Sequence, residues 1–149
     1  MKRLLMGRYM VNKIGIDTNV LIRYITQDDD QSKIASDFLE SLTTQNQGFI
    51  NHVVMVEVVW VLSRAYKKSR AQIAMILDEI LSIPVFEFEN RQVLLQALHL
   101  YKTTKADYSD LVICQINKTF SCNNTVTFDK TAYEKAGMTS IIEFQQLNK

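Results

Sequence analysis

Apolar residues recur along the chain with two different spacings. Short β-branched or aromatic runs predict strands over residues 14–16, 48–50, 85–88, 125–128 and 139–144. Apolar residues three or four positions apart predict helices over residues 20–25, 34–42, 53–67, 73–81 and 93–101, and one capped by Thr104 that contains residues 111–116. Because strands and helices alternate, we expect an α/β layer fold with a short, mostly parallel sheet.

Composition favours one ordered domain. The chain has 149 residues, of which 47% are hydrophobic and 22% are charged, and this composition excludes a mainly disordered chain. No linker or repeat interrupts the apolar pattern, so residues 11–149 are predicted to form a single domain. The formal net charge is +1, so nucleic-acid binding would need a local basic patch.

Two further features bear on the compartment. Cys114 and Cys122 stand apart without a CxxC pair, which predicts neither a zinc site nor a disulfide and favours a cytoplasmic protein. No apolar stretch approaches the roughly 18 residues that span a bilayer, so we expect no membrane insertion.

Three acidic residues occupy positions typical of a site. Asp17 and Asp129 each follow a predicted strand, and ligands of open α/β sheets bind beyond the carboxyl ends of the strands. Glu57 lies in an apolar helical stretch, where a buried carboxylate needs a partner. That partner is either a cation, such as Arg64 or Lys67, or a site shared with other acids.

Asp107 and Asp110 are three positions apart, which places both on one face and in the first turn of a predicted helix. Stabilisation of the helix dipole is the alternative explanation for each of them. If Asp17, Glu57, Asp110 and Asp129 converge to about 5 Å, each pair repels by roughly 3 kcal/mol, so a cation or a proton is required. Ligands that offer only oxygen suit Mg²⁺ or Mn²⁺, and this chemistry favours phosphodiester hydrolysis.

Four segments carry a family resemblance, in order and in approximate spacing: residues 16–24, 56–62, 106–113 and 127–129. With them the chain resembles the PIN-domain ribonucleases, in particular the VapC-type toxins of bacterial toxin–antitoxin pairs. The resemblance covers nearly the whole chain and implies a PIN-like three-layer α/β/α fold. Relatives begin their first strand close to the N-terminus, so residues 1–10 are predicted to be an extension or to precede a start at Met10.

The resemblance also implies roles for individual residues. Asn19 and Thr127 would orient the residues around the metal, and Asp107 would be a fifth acid beside the ligands. The catalytic acids that hold Mg²⁺, or Mn²⁺, would be Asp17, Glu57, Asp110 and Asp129. The family implies hydrolysis of single-stranded or loop RNA by a metal-activated water, a homodimer, and a small antitoxin partner.

Alternatives remain open. The same chemistry would serve a housekeeping RNA-processing nuclease, and structural carboxylates would fit a catalytically silent PIN-like binding module. A phosphoaspartyl enzyme is disfavoured because the segment from Asp17 to Asn19 lacks a second acid.

Basic and aromatic residues near the end of the predicted helix over 53–67 also have two interpretations. Trp60 and Tyr66 are predicted to be core residues rather than platforms for base stacking. A basic cluster either complements the helix dipole or contacts RNA or an antitoxin; it consists of Arg64, Lys67, Lys68 and Arg70.

Overall fold

Three parallel strands form the central sheet, in a computed structural model that describes residues 11–149. The predicted extension over residues 1–10 lies outside the described residues. In spatial order, the strands are β1 (Asn12–Gly15), β2 (Asn46–Ile50) and β3 (Phe86–Phe88). Gly15 aligns with Phe49, and Ile50 aligns with Phe88, so the three carboxyl ends meet at one edge of the sheet.

Helices follow and flank these strands, as the alternating pattern predicts. They are α1 (Thr18–Thr26), α2 (Gln31–Ser41), α3 (His52–Arg64), α4 (Arg70–Leu81), α5 (Arg91–Thr103), α6 (Tyr108–Thr119), α7 (Lys130–Lys135) and α8 (Ile141–Leu147). The parallel sheet between helices is consistent with the predicted PIN-like three-layer α/β/α fold. No helix in this described part of the chain is long and apolar enough to cross a membrane.

A separate pair of strands, β4 (Val126–Thr127) and β5 (Thr139–Ser140), is also parallel. The predicted strand over residues 139–144 is therefore wrong beyond Ser140. Pairing ends where Thr127 aligns with Ser140, so the residues that follow have no strand partner. They form backbone hydrogen bonds within α8 instead.

Capping side chains fix where several helices begin. Asn51 accepts a 2.9 Å hydrogen bond from the backbone N–H of Val54 and caps α3, as predicted. The predicted cap at Thr104 is wrong, because Thr104 ends α5 and its hydroxyl donates to the carbonyl of Leu100. The N-cap of α6 is Asp107, three residues later.

The core lies between the sheet and the helices, and its largest fully buried side chains come from several elements. They include Leu21, Ile50, Met55, Leu62, Leu77, Leu94 and Leu111. Full burial of one such side chain contributes about 1.5–3 kcal/mol to folding. This core fixes the relative positions of α1, α3 and α6, the helices beside the acidic residues.

One glycine is required by close packing in β2. A Cβ atom on Gly48 would lie 2.5 Å from Cδ1 of Ile16 and 3.0 Å from Cδ1 of Leu42. Ile16 is buried and directly precedes Asp17. Gly48 therefore leaves room for the residue that leads into the first candidate acid.

Candidate acidic site

A single threonine joins two of the predicted acids. Asp17 is the N-cap of α1, and its Oδ1 accepts a 2.7 Å hydrogen bond from the backbone N–H of Thr18. The hydroxyl of Thr18 donates a 2.7 Å hydrogen bond to Oε2 of Glu57 on α3. Thr18 is buried, so this contact fixes the carboxylate of Glu57 next to the beginning of α1.

Glu57 is exposed, contrary to the prediction of a buried carboxylate. It lies on one face of α3 with Val53 and Trp60, which are 64% and 54% exposed. Because Val53 and Trp60 are apolar although they are exposed, the sequence of α3 is apolar on every side. The residues of α3 that pack into the core lie on the opposite face. The prediction that Trp60 belongs to the core is wrong for the same reason.

The salt-bridge explanation for Glu57 is also wrong within residues 11–149. The ion pairs of this region do not include Glu57. The guanidinium of Arg64 instead lies 4.8 Å from the centre of the Trp60 ring. Within these residues, the hydrogen-bond partner of the Glu57 carboxylate is therefore the hydroxyl of Thr18 and not a cation.

A second group of acids surrounds the beginning of α6. Asp107 is the N-cap of that helix, and the partly buried Asp110 follows in its first turn. Burial raises the pKa of Asp110, and the nearby charges of Asp107 and Asp129 raise it further. The carboxylate of Asp110 is thus close enough to those of Asp107 and Asp129 to be repelled by both.

Asp129 is positioned by its own helix and strand. It caps α7, and its Oδ1 accepts a 3.2 Å hydrogen bond from the backbone N–H of Ala132. The N–H of Asp129 donates to the hydroxyl of Thr127 at 3.0 Å. Thr127 therefore orients the backbone that carries Asp129, which fits its predicted accessory position.

Asn19, the other predicted accessory residue, has different surroundings. It is exposed in the first turn of α1 and lines a cavity of about 490 Å³ with Val20 and Phe38. Within residues 11–149, no hydrogen bond links its side chain to the candidate acids. The structure thus gives Thr127 a contact with the acidic site but does not do so for Asn19.

Helix packing relates the two acidic groups. The helix α3, which carries Glu57, packs against both α1 and α6. Asp17 lies at the beginning of α1, whereas Asp107 and Asp110 lie at the beginning of α6. Carboxylates that are distant in sequence therefore lie on elements that contact one common helix.

The donor chemistry of these acids fits a hard divalent cation, although the carboxylates do not form a closed cluster. All five offer carboxylate oxygens, which Mg²⁺ and Mn²⁺ prefer, and none belongs to an ion pair of residues 11–149. Over the same residues, no three His, Cys, Asp or Glu side chains already form a metal-binding group. Mg²⁺ commonly keeps several waters and uses few carboxylates, so an open set of acids is compatible with it.

A cavity of about 480 Å³ lies beside this acidic site, between α3, α4, α5 and α6. Its lining includes Asp107, Trp60 and three members of the predicted basic cluster: Arg64, Lys68 and Arg70. The sequence contained a signal for this face of α3, because Val53, Glu57, Trp60 and Arg64 recur at helical spacing.

Comparison with known proteins identifies the family to which this chain belongs. Residues 14–138 match the family model described as the PIN domain, so the chain belongs to the PIN-domain family. It is also similar to a VapC ribonuclease of Aquifex aeolicus (strain VF5). The two are 22% identical over 132 residues, which cover 88% of this chain and 97% of the relative. The resemblance predicted from the four sequence segments is confirmed.

Proposed function

We propose that this protein is a metal-dependent endoribonuclease that hydrolyses phosphodiester bonds of RNA. The observation that carries the proposal is the set of carboxylates on α3 and at the beginnings of α1, α6 and α7. None of them has a cationic partner within residues 11–149, and Asp110 lies near the charges of Asp107 and Asp129. Membership of the PIN-domain family supports a nuclease, and the name of the similar VapC ribonuclease supports RNA as its substrate.

Asp17, Glu57, Asp110 and Asp129 are the proposed metal-holding and catalytic acids, with Asp107 beside them. When bound there, Mg²⁺ or Mn²⁺ would polarise a phosphoryl oxygen and lower the pKa of an attacking water.

The protein's own contribution is to orient these carboxylates before substrate arrives. Thr18 holds Asp17 through its N–H and Glu57 through its hydroxyl. Asp110 lies in the first turn of α6, where the backbone N–H groups favour a negative charge and oppose the repulsion from Asp107. This preorganisation would spare the site much of the rearrangement otherwise needed during the reaction.

The biological role that fits best is the toxin of a toxin–antitoxin pair. Its support is the similarity to a protein named VapC ribonuclease. The proposal includes a small antitoxin protein as partner, a homodimer and a cytoplasmic location. Residues 11–149 would form one nuclease domain, with residues 1–10 as an extension.

The test is cleavage of a mixed set of structured and unstructured RNAs with Mg²⁺, with Mn²⁺ or with EDTA. We expect cleavage with a divalent ion, none with EDTA, and a loss of at least a hundredfold in Asp110→Asn. Asp37→Asn is the matched control, because Asp37 is an exposed carboxylate paired with Lys33. Equal cleavage by Asp110→Asn and the unchanged protein would overturn the proposed site.

The alternative roles give different outcomes. A binding module would show no hydrolysis with any ion and a thermal stability independent of divalent metal. A housekeeping nuclease would cleave RNA, but its expression would not arrest growth. Growth arrest by the unchanged protein, absent with Asp110→Asn, supports the toxin.

A further inference from the structure

The cavity beside the acidic site brings together cations that come from separate elements. Arg64 lies at the end of α3, Lys68 in the connection to α4, and Arg70 at the beginning of α4. None of the three belongs to an ion pair within residues 11–149. The net charge of the whole chain is only +1, so RNA binding needs a local basic patch, and this cavity provides one.

The three cations are not equally free. The guanidinium of Arg70 donates to the backbone carbonyls of Tyr101 and Thr104, at 2.8 and 3.1 Å, and lies 3.8 Å from the centre of the Tyr101 ring. Arg70 therefore stabilises the fold where α4 and α5 meet. Arg64 and Lys68 are the cations left for a ligand.

Trp60 supplies an aromatic surface at the same cavity. Its side chain is 54% exposed, and the guanidinium of Arg64 lies over its ring. Exposed apolar side chains that lie together mark binding surfaces, and the exposed Val53 lies on the same face of α3 as Trp60. An exposed aromatic ring beside a cation is typical of sites where an unpaired nucleobase stacks.

Tyr108 belongs to the wall of the cavity. This residue lines the cavity, is only 1% exposed, and its hydroxyl has no hydrogen-bond partner within the described residues. Buried hydroxyl groups are normally satisfied. The hydroxyl oxygen of Tyr108 exposes less than 1 Å² of surface, so a ligand in the cavity does not reach it, and the nucleotide contacts fall to Trp60, Arg64 and Lys68.

We infer that this cavity is a nucleotide subsite for a single-stranded segment of the RNA substrate. Trp60 stacks on a base, while Arg64 and Lys68 contact the phosphates on either side of it. Asp107 lies on the cavity wall, so a strand held there would pass the beginning of α6, the helix that carries Asp110 in its first turn. The inference rests on the proposed ribonuclease function. The carboxylates of the acidic site repel the phosphates of RNA, and Arg64 and Lys68 supply the attraction that holds the RNA beside them.

Trp60 is the single tryptophan of the chain, so intrinsic fluorescence reports directly on this cavity. The probe is an unstructured octaribonucleotide, titrated in EDTA into the full-length chain that carries Asp110→Asn, so that no cleavage intervenes. We expect saturable quenching of Trp60. The affinity for the RNA, measured by anisotropy of labelled RNA, should fall about fivefold to a hundredfold in Trp60→Ala and recover in part in Trp60→Phe.

The cations are tested in the same way. Arg64→Ala and Lys68→Ala should each weaken binding several-fold and lower the salt dependence by about one released ion. Lys33→Ala is the charge-matched control, because Lys33 is exposed and already paired with Asp37. Phe120→Ala is the aromatic control, because the exposed Phe120 follows α6 at the end opposite to Asp107, about 20 Å away along the helix.

Two results would overturn the subsite: unchanged RNA affinity in the cavity variants, or quenching by poly-glutamate as strong as quenching by RNA, which would indicate an acidic protein partner instead. Neither result affects the proposed nuclease, which is measured by cleavage. Conversely, RNA binding at Trp60 without cleavage by the unchanged protein would retain the subsite and reject the nuclease.

Discussion

The hydroxyl of Thr18 donates a hydrogen bond to Oε2 of Glu57, across 39 positions of sequence. The backbone N–H of Thr18 is bonded to Asp17 at the same time. One buried residue therefore contacts two carboxylates that belong to different helices. This arrangement makes Thr18 a positioning residue of the proposed site, although it offers no charge of its own.

Replacing Thr18 with Val should weaken catalysis with little loss of fold. The change removes the hydroxyl and keeps the branched shape and the backbone N–H, so Glu57 alone loses its partner. We expect RNA cleavage to fall about tenfold, and the divalent ion concentration required for half-maximal activity to rise. Thr18→Ser retains the hydroxyl and should keep most of the activity; equal loss in both variants would argue against the hydrogen bond.

Asp110→Asn should stabilise the protein in EDTA. The pKa of Asp110 is raised in the folded state, so the folded protein holds this proton more tightly than the unfolded chain does. The free energy of unfolding therefore falls as pH rises from about 3.9, the pKa of an Asp in an unfolded chain, through the higher pKa that Asp110 has in the folded protein. The melting temperature of Asp110→Asn minus that of the unchanged protein, measured in EDTA, should therefore be near zero at about pH 3.5 and become positive as pH rises towards neutrality.

A divalent ion should reverse the order of the two melting temperatures, so that the unchanged protein becomes more stable than Asp110→Asn. An ion bound only by the folded state stabilises it by about 2.7 kcal/mol at a hundred times its dissociation constant. Mn²⁺ should therefore raise the melting temperature of the unchanged protein by several degrees, and that of Asp110→Asn by much less. Equal shifts in the two proteins would contradict the assignment of Asp110 to the metal site.

Tyr108→Phe should leave the free energy of unfolding unchanged or raise it by up to about 1 kcal/mol in the absence of RNA. The hydroxyl of Tyr108 has no partner within the described residues, whereas its ring packs edge-on against Tyr101 with centroids 5.7 Å apart. The substitution keeps the ring contact and removes a buried polar group that costs about 1–3 kcal/mol when it is unsatisfied. Urea denaturation measures the difference, and clear destabilisation would reveal a hydrogen bond.

The sequence was most informative where strands run into helices. Asp17 and Asp129 could be predicted because an acid directly follows an apolar run, and both do cap helices. The hydrogen bond between Thr18 and Glu57 could not be predicted, because it depends on the packing of α1 against α3.

Errors arose where one-dimensional patterns were ambiguous. Thr104 and Asp107 are both suitable N-caps, and only the end of α5 decides between them. Glu57 was identified for the wrong reason, because the exposed Val53 and Trp60 conceal the polar face of α3. Periodicity reveals a buried face only when the opposite face is polar, and a face that binds a ligand need not be.

The packing of Gly48 gives a test of how the sheet supports the site. In Gly48→Ala, the new Cβ atom meets Cδ1 of Ile16 at 2.5 Å, Cδ1 of Leu42 at 3.0 Å and Cδ1 of Phe86 at 3.2 Å. Overpacking of this kind costs about 1–3 kcal/mol. Ile16 must move, and it is bonded directly to Asp17, so we expect a lower melting temperature together with a weaker stabilising effect of Mn²⁺. Gly15→Ala is the matched control: a Cβ there meets nothing within 4 Å, and Gly15 ends the neighbouring strand β1, two residues before Asp17. If Gly48→Ala lowers stability but leaves the response to Mn²⁺ unchanged, the position of Asp17 does not depend on the packing of Ile16.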